Sequence, residues 1–200
     1  MSSLNATDLL KPLADEVKGI DPKWVALEAI SDLLCLLMAL YLLMPGVQKL
    51  LPSHPKYPEK QRIFIWLSST WGVPNYPRLF QFVVGLVETS VAVACCACFL
   101  PGPTAQLITI MALILSINLC TVFFITLVKE PWGKKGLALR QLLQGAIALW
   151  IRLSQDFDWK DSDAVFYLYA WTAAIALGSL FMLYRRCRYG RAPDPLLGAR

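Results

Sequence analysis

Glu88 is the residue best placed to do chemistry in this 200-residue chain, because it stands in the middle of an apolar run, Phe80 to Leu100. A charge carried into hydrocarbon costs ~2.5–3.5 kcal/mol on insertion scales, so an acid there calls for a partner or a task. Counted from the turn Pro101-Gly102-Pro103, Glu88 lies twelve residues before Leu100 and Asn118 fourteen after Thr104. At about 1.5 Å per residue both are ~18–21 Å from the turn, at nearly one depth on adjacent helices. Gln141, twelve residues before Leu153, reaches the same level. Glu88, Asn118 and Gln141 are therefore the candidate intramembrane polar layer, suited to a quinone, a proton, a pigment or a small solute. The competing role is interhelical hydrogen bonding, which averages ~0.6 kcal/mol per contact. No second ionisable side chain is expected at the depth of Glu88, so no relay continues from it and the bonding role is favoured.

Other chemistry is sparse. Cys95 and Cys98 spell C-x-x-C, but alanine and leucine surround them and no histidine is near. Thiolate chemistry wants electropositive, partly wet surroundings, so Cys35, Cys95, Cys96, Cys98 and Cys120 read as small hydrophobes within spans. Glu28 and Asp32 are i and i+4 on the first helix, near its N-terminus, where the helix dipole favours acids. They are expected to line the membrane interface. The only histidine, His54, sits in a proline-bracketed loop, which leaves no bis-histidine haem within the chain. No metal-ligand cluster, G-x-S-x-G or phosphate-binding glycine loop occurs, so no catalytic or metal residue is assigned.

The elements that would position these residues follow from composition. Hydrophobic residues make up 56% of the chain and charged ones 16%, with a mean hydropathy of +0.51. A soluble domain carries about 25% charged residues, so a multi-span membrane protein is expected and a nucleic-acid partner is excluded. Spans of ~20 apolar residues are expected over residues 29–47, 80–100, 105–128, 136–153 and 164–184. The first lies in a longer helix opening at Asp21-Pro22, and Tyr167, Tyr169, Trp171 and Tyr184 flank the last as interfacial aromatics. The fourth is short and holds Gln141 and Gln144, with Arg140 and Arg152 near its ends. Charge balance retains it. With five spans, one side receives fourteen of the 19 basic residues and three acids, a net +11. The other receives five basic residues and ten acids, a net −5. Cationic loops stay on the side of synthesis. The C-terminus is thus expected on the positive, cytosolic-equivalent side and the N-terminus opposite, in contact with membrane lipids.

Residues 1–28 form a polar, acidic segment with no apolar h-region, so no cleavable signal is expected. Asn5-Ala6-Thr7 fits a glycosylation sequon, and residues 185–200 form a basic tail. Between the first two spans, Gln61 to Trp66 reads as an amphipathic run in the interface plane. On the fifth helix, Ala170, Ala174 and Gly178 make a small-residue ridge that lets another helix approach closely. Packing within the chain and packing against a neighbouring subunit are both compatible with it.

The first span closes with Met44-Pro45-Gly46-Val47-Gln48-Lys49-Leu50, and the second carries Gly85-Leu86-Val87-Glu88. Over residues 29–153 this resembles the DoxX-like family of small four-helix membrane proteins. Members often show a glycine, two residues and Lys-Leu ending helix one, then a glycine, two residues and Glu in helix two. The resemblance implies an antiparallel four-helix bundle and gives weight to Gly46, Lys49, Gly85 and Glu88. Family roles range from subunits of quinone-linked oxidoreductases to membrane assembly factors. The fold class expected is therefore an all-α membrane protein, an antiparallel four-helix bundle plus an additional C-terminal transmembrane helix. The expected function is that of a non-catalytic accessory or assembly subunit of a larger respiratory or photosynthetic membrane complex. The alternative is a quinone- or small-solute-binding redox partner or transporter using Glu88. No cofactor is encoded by motif, and lipid, quinone or pigment all remain open.

Overall fold

The computed structural model describes residues 22–70, 75–126, 132–155 and 157–189. Six α-helices account for most of them: α1 (Pro22–Leu50), α2 (Tyr57–Thr70), α3 (Pro77–Cys95), α4 (Pro103–Thr126), α5 (Trp132–Gln155) and α6 (Ser162–Tyr189). A 3₁₀ segment, Cys96–Phe99, continues α3. No strand occurs among the described residues. Four helices are long and apolar enough to cross a membrane, over Lys23–Leu50, Pro77–Phe99, Pro103–Ile125 and Ser162–Arg188. The sequon at Asn5, Asp21, residues 127–131 and residues 190–200 lie outside the described residues.

Local chemistry sets the helix ends. α1, α3 and α4 each open on a proline, whose missing N–H falls among first-turn donors that have no intrahelical partner. The link from α3 to α4 turns at Gly102, whose φ of 108° suits glycine alone. α6 is capped by Asp161, whose Oδ1 accepts the backbone N–H of Asp163 at 3.0 Å and of Ala164 at 3.2 Å. The first span does not end at Val47. α1 runs on through Pro45 to Leu50, because Gly46 is held against α3 although Pro45 removes the donor for the Tyr41 carbonyl.

α1 packs on α3 and α5, and α4 packs on the same two helices. Their shared core is made of Cys35, Ala39 and Leu42, of Val91, Ala92 and Cys95, of Ala112 and Leu113, and of Ala148. Small residues predominate, which brings the backbones close. α2 lies against α3, burying Phe64 and Leu67 beside Phe80 and Val84. This run reads as amphipathic in the sequence, and its apolar face is spent on the protein. α6 stands outside the four, against α4 and α2.

The surface is reversed relative to a water-soluble helix bundle. On α5, Leu139, Leu143, Ile147 and Trp150 form an exposed stripe, with Trp150 68% exposed, whereas Arg152 is 2% exposed. Polar groups inside and large apolar groups outside suit a hydrocarbon surround, where apolar surface gains nothing by hiding.

Candidate functional site

Glu88 has an ionic partner, and it is Lys49. The Lys49 ammonium donates to Glu88 Oε2 across α1 and α3, with the two side chains 4% and 8% exposed. The expectation that no second ionisable group shares the depth of Glu88 is thereby corrected. Lys49 is counted from sequence among the loop cations, yet the extra turn of α1 carries it inward. The helix geometry explains the meeting. Side chains lean toward the N-terminus of their own helix, so Lys49 reaches deeper along α3 while Glu88 leans back toward it. Lys49 also occupies the last turn of α1, where the dipole favours a cation.

Two glycines make room for the pair. A Cβ on Gly85 would stand 2.9 Å from Lys49 Cβ and 3.1 Å from the Gly46 carbonyl; one on Gly46 would stand 2.5 Å from Thr89 Oγ1. Gly46 and Lys49, like Gly85 and Glu88, are three apart and share a helix face. The four positions singled out by the family resemblance therefore meet at one contact. Gln81, fully buried on α3, donates from Nε2 to the Lys49 carbonyl at 3.1 Å, and its Oε1 has no hydrogen-bond partner among the described residues. α2 closes the pair from the side: the Lys49 ammonium lies 5.7 Å from the centre of the Phe64 ring, which tilts against Phe80.

The other two members of the expected polar layer turn elsewhere. Asn118 Nδ2 donates to Ser179 Oγ at 2.7 Å, and Gln141 Oε1 accepts from Cys120 Sγ at 3.8 Å. No hydrogen bond joins Glu88, Asn118 and Gln141 to one another among the described residues. Equal depth is no guarantee of a shared face. The Asn118–Ser179 bond belongs to a seam between α4 and α6. Trp171 Nε1 donates to the Met111 carbonyl at 2.9 Å and Arg186 to the Ile125 carbonyl at 2.6 Å. Along this seam the partner numbers on both helices rise together.

A second ion pair stands at the opposite end of α1. Arg152 of α5 pairs with Asp32, and its Nε donates to Ser31 Oγ at 3.1 Å; Ser31 in turn donates to the Ala148 carbonyl at 3.5 Å. Asp32 is thus an ion-pair partner within the chain, with its side chain 27% exposed. Glu28, four residues earlier, stays exposed beside Trp24 and Gln155 in an open hollow of about 270 Å³. His54 shapes the loop after α1, its Nδ1 accepting the Lys56 N–H at 3.1 Å.

No protein-family model, curated protein or solved structure matches this chain. Its site must be read from the geometry alone. Sequence reasoning missed the roles of Lys49, Gln81, Ser31, Arg152 and Ser179. A signal for the first was present, since the Gly-x-x-Lys and Gly-x-x-Glu spacings place each charge beside a glycine on one face.

Among the described residues, nothing covers the small-residue ridge of α6. Ala170, Ala174 and Gly178 are exposed, and a Cβ built on Gly178 meets nothing within 4 Å. The side of α6 that turns inward is the one carrying Trp171, Ser179 and Arg186.

Proposed function

We propose that this chain is a non-catalytic accessory or assembly subunit of a larger membrane complex, of the respiratory or photosynthetic kind, docked through the outer face of α6. The observation that carries the reading is the bare ridge Ala170–Ala174–Gly178 on a helix whose other side is bonded to α4. Small residues at four-residue spacing let helices approach closely in lipid, where packing rather than hydrophobicity drives association. The occupant is a transmembrane helix of another subunit.

The architecture that goes with this is an antiparallel four-helix bundle of α1, α3, α4 and α5, with α6 as a fifth crossing. Contacts between α1 and α3 support opposed directions, since Gly46 meets Thr89 while Lys49 meets Gly85. The α4–α6 seam supports parallel directions over ~21 Å, and a chain that leaves α4 and arrives parallel to it must come back in between. α5 is the only described helix there. Five crossings put the termini on opposite sides, the basic tail on the positive leaflet. Membership of the DoxX-like family is part of the same proposal, supported by the meeting of Gly46, Lys49, Gly85 and Glu88. That meeting weighs against a quinone or solute site at Glu88, whose carboxylate is already bonded within the chain.

Extraction in mild detergent followed by a native gel tests the docking. The wild-type chain is expected to migrate with its complex and Gly178→Leu to migrate alone, because the added side chain props the ridge apart. Retention of the complex by Gly178→Leu, or migration of the wild type alone, would overturn the proposal.

A further inference from the structure

The start of α1 and the end of α5 frame the hollow of about 270 Å³ lined by Trp24, Glu28, Ser154 and Gln155. Each polar group in this lining has unspent capacity. The Glu28 carboxylate is exposed and has no ion-pair partner among the described residues. Ser154 Oγ commits its hydrogen to the Trp150 carbonyl at 2.7 Å, so what it offers an occupant is an acceptor. Gln155 Nε2 is shut from solvent with no hydrogen-bond partner among the described residues. The soft terminal torsion of an amide lets it swing to an acceptor placed in the hollow. An occupant that suits all three is a cation with N–H donors, joined by a short spacer to an anionic acceptor. A single carboxylate is too few for a divalent metal, and no metal-binding cluster occurs among the described residues. A quaternary ammonium has no N–H for Ser154 Oγ, whereas a primary ammonium has three. The C-terminal end of α5 favours the same positive charge, and Trp24 supplies an aromatic face for it.

The surroundings say where such a molecule comes from. Trp150, Ile147 and Leu143 continue the face of α5 that carries Ser154, and all three are exposed. Trp24, Trp150 and Trp159 are exposed at this end of the bundle, as tryptophans at the headgroup level of a bilayer are. Asp158, Asp161 and Asp163, exposed just beyond α5, repel a lipid of net negative charge. We infer that the hollow binds the headgroup of a phosphatidylethanolamine molecule. Its ammonium donates to the Glu28 carboxylate and to Ser154 Oγ, its phosphate accepts from Gln155 Nε2, and its acyl chains lie along the Leu143–Ile147–Trp150 stripe.

Native mass spectrometry of the full chain in detergent tests this, with palmitoyl-oleoyl phosphatidylethanolamine, phosphatidylcholine and phosphatidylglycerol titrated separately. The ethanolamine lipid is expected to bind about tenfold more tightly than either of the others, the effect of one charged hydrogen bond. Glu28→Gln and Gln155→Leu are each expected to weaken it by about the same factor. Glu59→Gln, which removes an exposed acid on α2, is expected to leave it unchanged. Glycerophosphoethanolamine, the same headgroup without acyl chains, is expected to displace the lipid only at about a hundredfold higher concentration, because it gains nothing from the apolar stripe. Equal affinity for the three lipids, tighter binding of the choline or glycerol lipid, or unchanged affinity in either site variant would overturn the inference. An equal loss in Glu59→Gln, or displacement by the chainless headgroup at matching concentration, would overturn it as well.

Discussion

Replacing Glu88 by Gln should unsettle this protein more than any other single change of similar size. The substitution keeps shape and one hydrogen-bonding oxygen but strands the Lys49 ammonium, which is 4% exposed and has Phe64 and Gly85 for neighbours. Removing one partner of a buried ion pair costs about 3–5 kcal/mol, whereas replacing both by apolar residues of similar volume is often neutral or better. Glu88→Gln and Lys49→Met are therefore each expected to lose about 3 kcal/mol or more. The double variant Lys49→Met/Glu88→Gln, which removes both charges, should regain part of it. The pair of glycines is untouched in all three, so the helix contact itself is constant. Reversible unfolding in mixed micelles, titrated with a denaturing detergent and followed by tryptophan fluorescence, gives the four stabilities of the cycle. Losses that add to within ~0.5 kcal/mol would mean that the two residues act independently. The account of the α1–α3 contact as an ion-pair clasp would then be wrong.

Further expectations come from the same geometry. Gly85→Ala, which forces a methyl to 2.9 Å from Lys49 Cβ, should cost about 1–3 kcal/mol as overpacking. Gly136→Ala, at an exposed helical position with nothing within 4 Å, should stabilise by up to ~1 kcal/mol in the same unfolding assay. Membrane-impermeant maleimide applied to sealed vesicles should reach the exposed Cys187 from one side only, and a cysteine placed at Ser3 only from the other. Labelling of both from one side would remove the fifth crossing.

The sequence and the structure agree where a local rule decides and part where a face must be chosen. Prolines at 22, 77 and 103 start helices, and Gly102 turns the chain where Pro101-Gly102-Pro103 is expected to turn it. Four of the five spans read from apolar runs fall on helices long and apolar enough to cross a membrane, because length and hydropathy are properties of a segment by itself; the expected span 136–153 falls on α5, which is not among those four. The partner of Glu88 is a property of two segments. A proline at 52 and four nearby basic residues make Lys49 look like the first cation of a loop, and only the added turn of α1 carries it under Phe64. Asn118 and Gln141 show the converse error. Depth along a helix follows from counting residues, but the direction a side chain faces depends on which neighbours surround it, and here these are Ser179 and Cys120. Arg152, placed by sequence near a span end, is held in by Asp32 more than a hundred residues earlier.

α5 carries a consequence for how the protein is made. Taken alone it is a poor candidate for the bilayer: an arginine within a span costs up to about 2.5–3.5 kcal/mol on insertion scales, and this helix has Arg140, Arg152 and three glutamines. Its needs are met only by neighbours, Asp32 and Ser31 for one arginine, the Tyr41 ring for the other, and Cys120 for one amide. Those neighbours lie on α1 and α4, both of which leave the ribosome earlier. Vectorial synthesis thus supplies the receptor before the guest, and a truncated chain that begins after α4 should fail to integrate α5 at all.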